Sequence, residues 1–191
     1  MNPLLQEIRQ CTICASSLPL GPNPVVSAHS DSKIVVIGQA PGSVVHQTGV
    51  PWDDASGNRL RDWLGVTEDV FYTPEIFALI PMGFCYPGKG RSGDLPPRPE
   101  CAPKWHGELL SQIHHPQLIL LIGTYAQQYY LGNRRKSTLT ETVKNYMTYS
   151  PDYLPLPHPS PRNNIWLKKN PWFESEVIDS LRHQVKSIIN S

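Results

Sequence analysis

Two runs of branched apolar residues constrain this chain more than any other feature: Lys33-Ile34-Val35-Val36-Ile37-Gly38 and Leu118-Ile119-Leu120-Leu121-Ile122-Gly123. Each is apolar throughout, without polar alternation, and each stops at a glycine. A strand that is apolar on both sides is buried on both sides, so each run predicts a short core strand followed by a loop at its carboxyl end. Phe77 to Met82 and Tyr153 to Pro157 are weaker strand candidates. Pro81 lies near the end of the first and prolines punctuate the second, so both are expected to be short or to lie near a sheet edge. Helices are predicted at 57–64, 102–113, 125–131, 139–146 and 174–189. Strands alternating with helices predict a three-layer α/β/α fold, with a short, mostly parallel central sheet of about four strands. Ligands bind such sheets beyond the carboxyl ends of the strands, which places the loops after Gly38 and Pro157 on one rim.

The chain has 191 residues, which suits one domain spanning 1–191 with a single sizeable core. It has no long apolar run and no basic-plus-apolar leader, so a cytoplasmic protein with no membrane partner is expected, and a monomer is the plain expectation. A formal charge of +1 exerts no global pull on nucleic acid. DNA contact would have to come from local segments such as Arg134-Arg135-Lys136 or Lys168-Lys169, each of which alone reads more readily as a solvated surface. The 20 prolines require many ordered irregular loops, and such loops often carry function.

Two of these loops carry chemistry. Gly38-Gln39-Ala40-Pro41-Gly42 closes the first strand, with glycines that allow close backbone approach and a proline that stiffens the turn. Alone it also fits a plain strand-to-loop turn, and it lacks the spacing of a P-loop or a dinucleotide fingerprint. His158-Pro159-Ser160-Pro161-Arg162-Asn163 joins a titratable side chain to a proline-stiffened turn with a cation near its end. In this order the two segments resemble the paired motifs of the uracil-DNA glycosylase superfamily. Between them, Gln47-Thr48-Gly49-Val50-Pro51-Trp52 resembles the segment that supplies the aromatic platform, with Trp52 where the family usually has Phe or Tyr.

The resemblance runs from Cys11 to about Phe173 and implies a monofunctional DNA glycosylase of base excision repair. Such an enzyme flips uracil or a related deaminated or damaged base out of DNA and hydrolyses its N-glycosidic bond. It implies a base site at Gly38, Gln39, Ala40, Trp52 and His158. The backbone N–H groups around Gln39 and Ala40, together with His158, would meet the negative charge that develops on the leaving base. Ser160, Pro161 and Arg162 would press on the DNA backbone.

Cys11 and Cys14 form a Cys-x-x-Cys pair, Cys85 and Cys101 lie far downstream, and there are no other cysteines. Four thiolates suit either tetrahedral zinc or an iron-sulfur cluster, and scattered buried cysteines are the plain alternative. Zinc ribbons usually carry two tight knuckles, and one is present here. The layout resembles the iron-sulfur branch, family 4, which implies a structural 4Fe-4S cluster on these four residues. Gln47 to Pro51 and the His-Pro-Ser-Pro-Arg-Asn run resemble instead the single-strand-selective monofunctional uracil glycosylases.

Two departures bear on function. Ala40 stands where the most familiar branch has an Asp that positions water, although family 4 also has a small residue there. Asp53, Asp54 and His46 are the candidates to supply the missing polar group, with Asp53 first because it adjoins Trp52. The second strand ends in Ala78-Leu79-Ile80-Pro81-Met82-Gly83-Phe84, where the family usually places an Asn that reads the uracil edge. Loss of that amide loosens the link to uracil. It also keeps open two other readings: an iron-sulfur nucleic-acid-binding protein that kept the fold and lost the chemistry, and an enzyme acting on free bases or nucleosides.

Overall fold

The computed structural model describes residues 1–191. The strands are β1 (Ile34–Gly38), β2 (Phe77–Pro81), β3 (Lys89–Gly90), β4 (Gly93–Asp94), β5 (Leu118–Ile122) and β6 (Leu154–Leu156). The four longer ones form a parallel sheet in the order β2-β1-β5-β6, with Ile34 level with Phe77 on one side and Leu118 on the other. The two apolar runs are therefore the central strands and the two proline-bearing candidates are the edges, as expected. An edge strand tolerates Pro155 because only one of its sides must supply ladder donors. β3 and β4 form a separate antiparallel hairpin.

The helices are α1 (Asn2–Arg9), α2 (Ser43–Thr48), α3 (Ala55–Leu64), α4 (Glu68–Phe71), α5 (Cys101–Ser111), α6 (Gly123–Leu131), α7 (Leu139–Lys144), α8 (Asn164–Lys169) and α9 (Asp179–Asn190). The five predicted helices are present, with ends shifted by a few residues. The last is preceded by a π-helical turn at Phe173–Ile178 instead of being continuous from 174. α1, α2, α4 and α8 are additional to the predicted helices, and in α1 Leu4, Leu5 and Ile8 form a buried stripe behind a proline in its first turn.

Strand alternation splits β1 between two cores. Ile34 and Val36 join Leu60, Phe71, Phe173 and Leu181 on one face, while Val35 and Ile37 join Leu5, Trp105, Leu109 and Ala126 on the other. The two cores hold 20 and 19 buried residues, so both faces are covered to the same extent and the three-layer expectation holds.

The topology leaves a crevice. From β1 the chain moves to β2 on one side and then crosses to β5 on the other, so the strand order switches between β1 and β5. β5 passes straight into α6 at Gly123, whose φ of +82° makes the abrupt turn. No loop fills the space beyond β5, and the loops that follow β1 and β6 face each other across it.

Candidate active site

A cavity of about 480 Å³ occupies this crevice, within the range of roughly 300–1,000 Å³ usual for small-molecule sites. One wall is the loop after β1. Gly83 N–H donates to the Gln39 carbonyl and Met82 N–H to the Gly38 carbonyl, which ties this loop to the end of β2. The N–H groups of Gln39 and Ala40 have no acceptor within the protein. Two fixed, unpaired donors on the wall of a cavity form a ready site for developing negative charge.

The opposite wall is the loop after β6. Ser160 N–H donates to His158 Nδ1 at 3.2 Å, and Asn163 Nδ2 donates to the His158 carbonyl at 2.7 Å. With Nδ1 accepting, the proton of a neutral imidazole sits on Nε2, a tautomer assigned from this hydrogen bond. Burial pushes the His158 pKa below the ordinary histidine value, against a smaller opposing pull from the Asp54 carboxylate. His158 is thus a neutral ring with a donor to spare. The loop is tied down further by Arg59 Nη1, which donates to the Ser160 carbonyl at 3.1 Å, and by Arg162 Nη1, which donates to the Ser92 carbonyl at 2.9 Å. Arg162 thereby joins the β6 loop to the β3–β4 hairpin, whose Ser92, Gly93 and Asp94 also line the cavity.

Trp52 forms part of the floor, its ring centroid 5.8 Å from that of His158 and the planes 32° apart. Its placement depends on two glycines. A Cβ at Gly38 would come within 2.8 Å of Trp52 Cζ2, and one at Gly57 would collide with the Trp52 backbone carbonyl. Trp52 itself holds φ of +59°, uncommon for a bulky residue, so its backbone is fixed by its surroundings and not by local preference.

The structure reverses the expected order of the acidic candidates. Asp53 is exposed and outside the cavity, with its charge felt by the Tyr72 hydroxyl, while Asp54 lines the cavity. The reason is local. Asp54 is the N-cap of α3, its Oδ1 accepting from Gly57 N–H at 2.9 Å, and this turns Asp54 inward and its neighbour outward. His46 lies on α2 against Tyr86, away from the cavity lining.

The missing Asn leaves a wall whose polar groups are already engaged. Pro81 has no N–H, its carbonyl accepts from the Nε2 side of His106 at 3.0 Å, and the next two N–H groups serve Gly38 and Gln39. His106 is 1% exposed, pairs through Nδ1 with the Tyr130 hydroxyl at 2.6 Å, and has its pKa pushed down to about 4 by burial. Asn163 and Tyr125 line the cavity as well, and neither was given a role from sequence. Asn163 sat within the quoted motif, whereas nothing local marked Tyr125 or the hairpin.

The four cysteines are free thiols, with Cys14, Cys85 and Cys101 buried and Cys11 half-buried. Burial pushes the Cys101 thiol up to about 12, with smaller upward pushes from Cys14, Cys85 and Cys11. Arg98 Nη2 donates to Glu100 Oε1 at 2.6 Å, and its buried Nε has no partner. No three His, Cys, Asp or Glu side chains converge closely enough to hold a single metal ion. No helix is long and apolar enough to cross a membrane. Of the basic segments, Arg134 pairs with Asp152 at 3.6 Å on the surface, and Lys168 and Lys169 form the last turn of α8.

A doubly covered parallel sheet, with unpaired backbone donors facing a histidine across a cavity at its switch point, defines an α/β protein with a pocket beyond the carboxyl ends of its strands. The chain belongs to the uracil DNA glycosylase superfamily, whose family model matches residues 25–182, more than four-fifths of its length. Membership implies a DNA glycosylase, a hydrolase of DNA repair with DNA as its partner. The match takes in both loops, Trp52, Cys85 and Cys101, and begins after Cys11 and Cys14.

Proposed function

We propose that this protein is a monofunctional glycosylase that excises uracil or a related deaminated or damaged base flipped into the cavity between the β1 and β6 loops. The observation that carries this reading is the pairing of the unpaired Gln39 and Ala40 N–H groups with His158, whose tautomer leaves Nε2–H free. As the N-glycosidic bond breaks, its electrons pass to the base, and preorganised donors stabilise that charge without reorganisation. Trp52 supplies an aromatic face against the base. No lysine lines the cavity, which favours direct hydrolysis over a Schiff-base route. Ser160, Pro161 and Arg162, at the cavity mouth, would bear on the phosphate backbone.

The four neighbouring thiols are the candidate ligands for an inorganic group. Tetrahedral zinc at Zn–S of about 2.3 Å needs sulfurs roughly 3.8 Å apart around one point. Cys11, Cys14, Cys85 and Cys101 lie near enough to feel one another's charge, and the orphaned Arg98 N–H suits an anionic sulfur cluster. We assign them to a 4Fe-4S cluster that would tie the N-terminus to the segment before α5. Iron and sulfide in stoichiometric amounts would support this, and a colourless zinc protein would reject it.

A second reading, a nucleic-acid-binding protein that lost the chemistry, is favoured by the methyl group of Ala40 and by the engaged wall at the end of β2. Oligonucleotides carrying uracil, hypoxanthine, xanthine or hydroxymethyluracil, incubated with the protein and cleaved with alkali, separate the two. Abasic product on any of them supports the enzyme; DNA binding without product on all of them supports the alternative.

A further inference from the structure

The β3–β4 hairpin has no core of its own, yet it is held at both ends. Its strands are two residues each, with Lys89 opposite Asp94 and Gly90 opposite Gly93, a length that does not stand alone in water. At the base, Leu95 N–H donates to the Gly88 carbonyl at 2.8 Å. A Cβ at Gly88 would meet Pro19 Cγ at 3.0 Å, and one at Gly90 would meet Leu95 Cδ2 at 3.2 Å, so the base is closely packed. At the tip, Arg162 Nη1 donates to the Ser92 carbonyl at 2.9 Å and occupies the space that a Gly93 side chain would need. Asp94 Oδ2 lies 3.7 Å from where a Cβ of Gly42 would stand. The hairpin therefore runs along the rim from the β1 loop to the β6 loop, placed by contacts with other segments.

Its side chains divide between two sides. Ser92, Gly93 and Asp94 line the cavity, whereas Lys89 and Arg91 are exposed, lie outside the lining and have no acidic partner. Arg162, exposed beside them, is bonded across the mouth only to the Ser92 carbonyl. Three cations without counter-charges thus gather at one mouth, from two separate segments, in a chain whose formal net charge is only +1. Arg134 shows the contrast: it pairs with Asp152 and lies over Tyr153, just before β6, at the opposite rim of the sheet. We propose that the hairpin is a second grip on the DNA backbone, in which Lys89 and Arg91 bind phosphates flanking the flipped nucleotide, next to those met by the β6 loop. The inference rests on DNA being the partner, as in the reading above. Because the hairpin is already fixed at base and tip, the grip needs little ordering when DNA arrives. Each cation that meets a phosphate releases a counterion, so the contribution is electrostatic and independent of sequence.

The test is a salt titration of the whole protein's affinity for a fluorescent duplex that carries one stable abasic-site analogue. Lys89→Ala and Arg91→Ala should each reduce the slope of log affinity against log salt by about 1. Each should weaken binding about eightfold at roughly 0.1 M salt, with the deficit vanishing by about 1 M. Arg91→Lys keeps the charge and should keep most of the slope. Arg134→Ala, at the opposite rim, should keep all of it. Parental slopes in both alanine variants overturn the inference. So does a deficit that persists at high salt, which would mean that the hairpin had collapsed and that its charges were not in contact with phosphate. An equal change of slope in Arg134→Ala overturns it too, because the attraction would then be diffuse. Absence of measurable binding by the parent overturns the DNA reading itself, a distinct result.

Discussion

The loops after β1 and β6 face each other across the same strand end, yet they are made differently. The β1 loop offers backbone: two unpaired N–H groups, glycines and the Trp52 indole packed on Gly38. The β6 loop offers side chains: His158 with its tautomer set by Ser160, and Arg162 reaching to the hairpin. Substitutions other than proline leave backbone donors in place and can only displace them, whereas a side-chain donor can be deleted outright. The difference teaches where each loop is vulnerable: the β6 loop to loss of a group, the β1 loop to added bulk.

The largest effect is therefore expected on the β6 side. His158→Ala removes the only side-chain donor of the proposed leaving-group site and should lower single-turnover excision by about 10²–10³-fold while DNA affinity changes little. An equal loss of affinity and rate would mean that His158 holds the loop and takes no part in the chemistry.

Next comes added bulk at the β1 loop. In Gly38→Ala the new methyl would stand 2.8 Å from Trp52 Cζ2, and Trp52 cannot yield freely because its carbonyl side is closed by Gly57. A forced shift of the floor by a fraction of an ångström should reduce excision by roughly 10–100-fold, with a change in tryptophan fluorescence. Parental kinetics with altered fluorescence would show that the indole packs the loop without contacting the base.

The same contrast explains what the sequence disclosed. The central strands were legible because their apolar runs have no solvent face, and the proline-bearing strands were legible as edges. The loops were readable because each places its groups within six consecutive residues. Asp54 was misordered behind Asp53 because a capping bond to Gly57, and not proximity to Trp52, decides which of two adjacent carboxylates turns inward. Tyr125 and the Ser92–Asp94 hairpin left no local signal, since only the packing of α6 and the Arg162 bridge bring them to the cavity.

A third, smaller effect tests the wall at the end of β2, which belongs to neither loop. His106 is neutral and buried, with its pKa near 4 against an ordinary 6.5. The unfolded chain therefore takes up the proton first as pH falls. The stability held by the neutral ring is complete above pH 6.5 and declines between 6.5 and about 4, by about 3 kcal/mol at most. Urea titrations of the parent and His106→Leu should show a shallower pH slope over that window in the variant. Identical slopes would mean that His106 charges freely in the native state and does not pin the Pro81 carbonyl.

The smallest effect is expected at Arg162, the member of the β6 loop least committed to the fold. Its side chain is exposed and its one cross-cavity bond goes to a backbone carbonyl of the hairpin, so truncation leaves no buried group unpaired. If Arg162 trades Ser92 for a phosphate when DNA binds, Arg162→Ala should weaken DNA binding severalfold and reduce the slope of log affinity against log salt by about 1. Excision at saturating protein should stay within about threefold of the parent. An excision defect as deep as that of His158→Ala would place Arg162 at the reacting base. The division within the β6 loop, with chemistry at its start and DNA grip at its end, would then have to be abandoned.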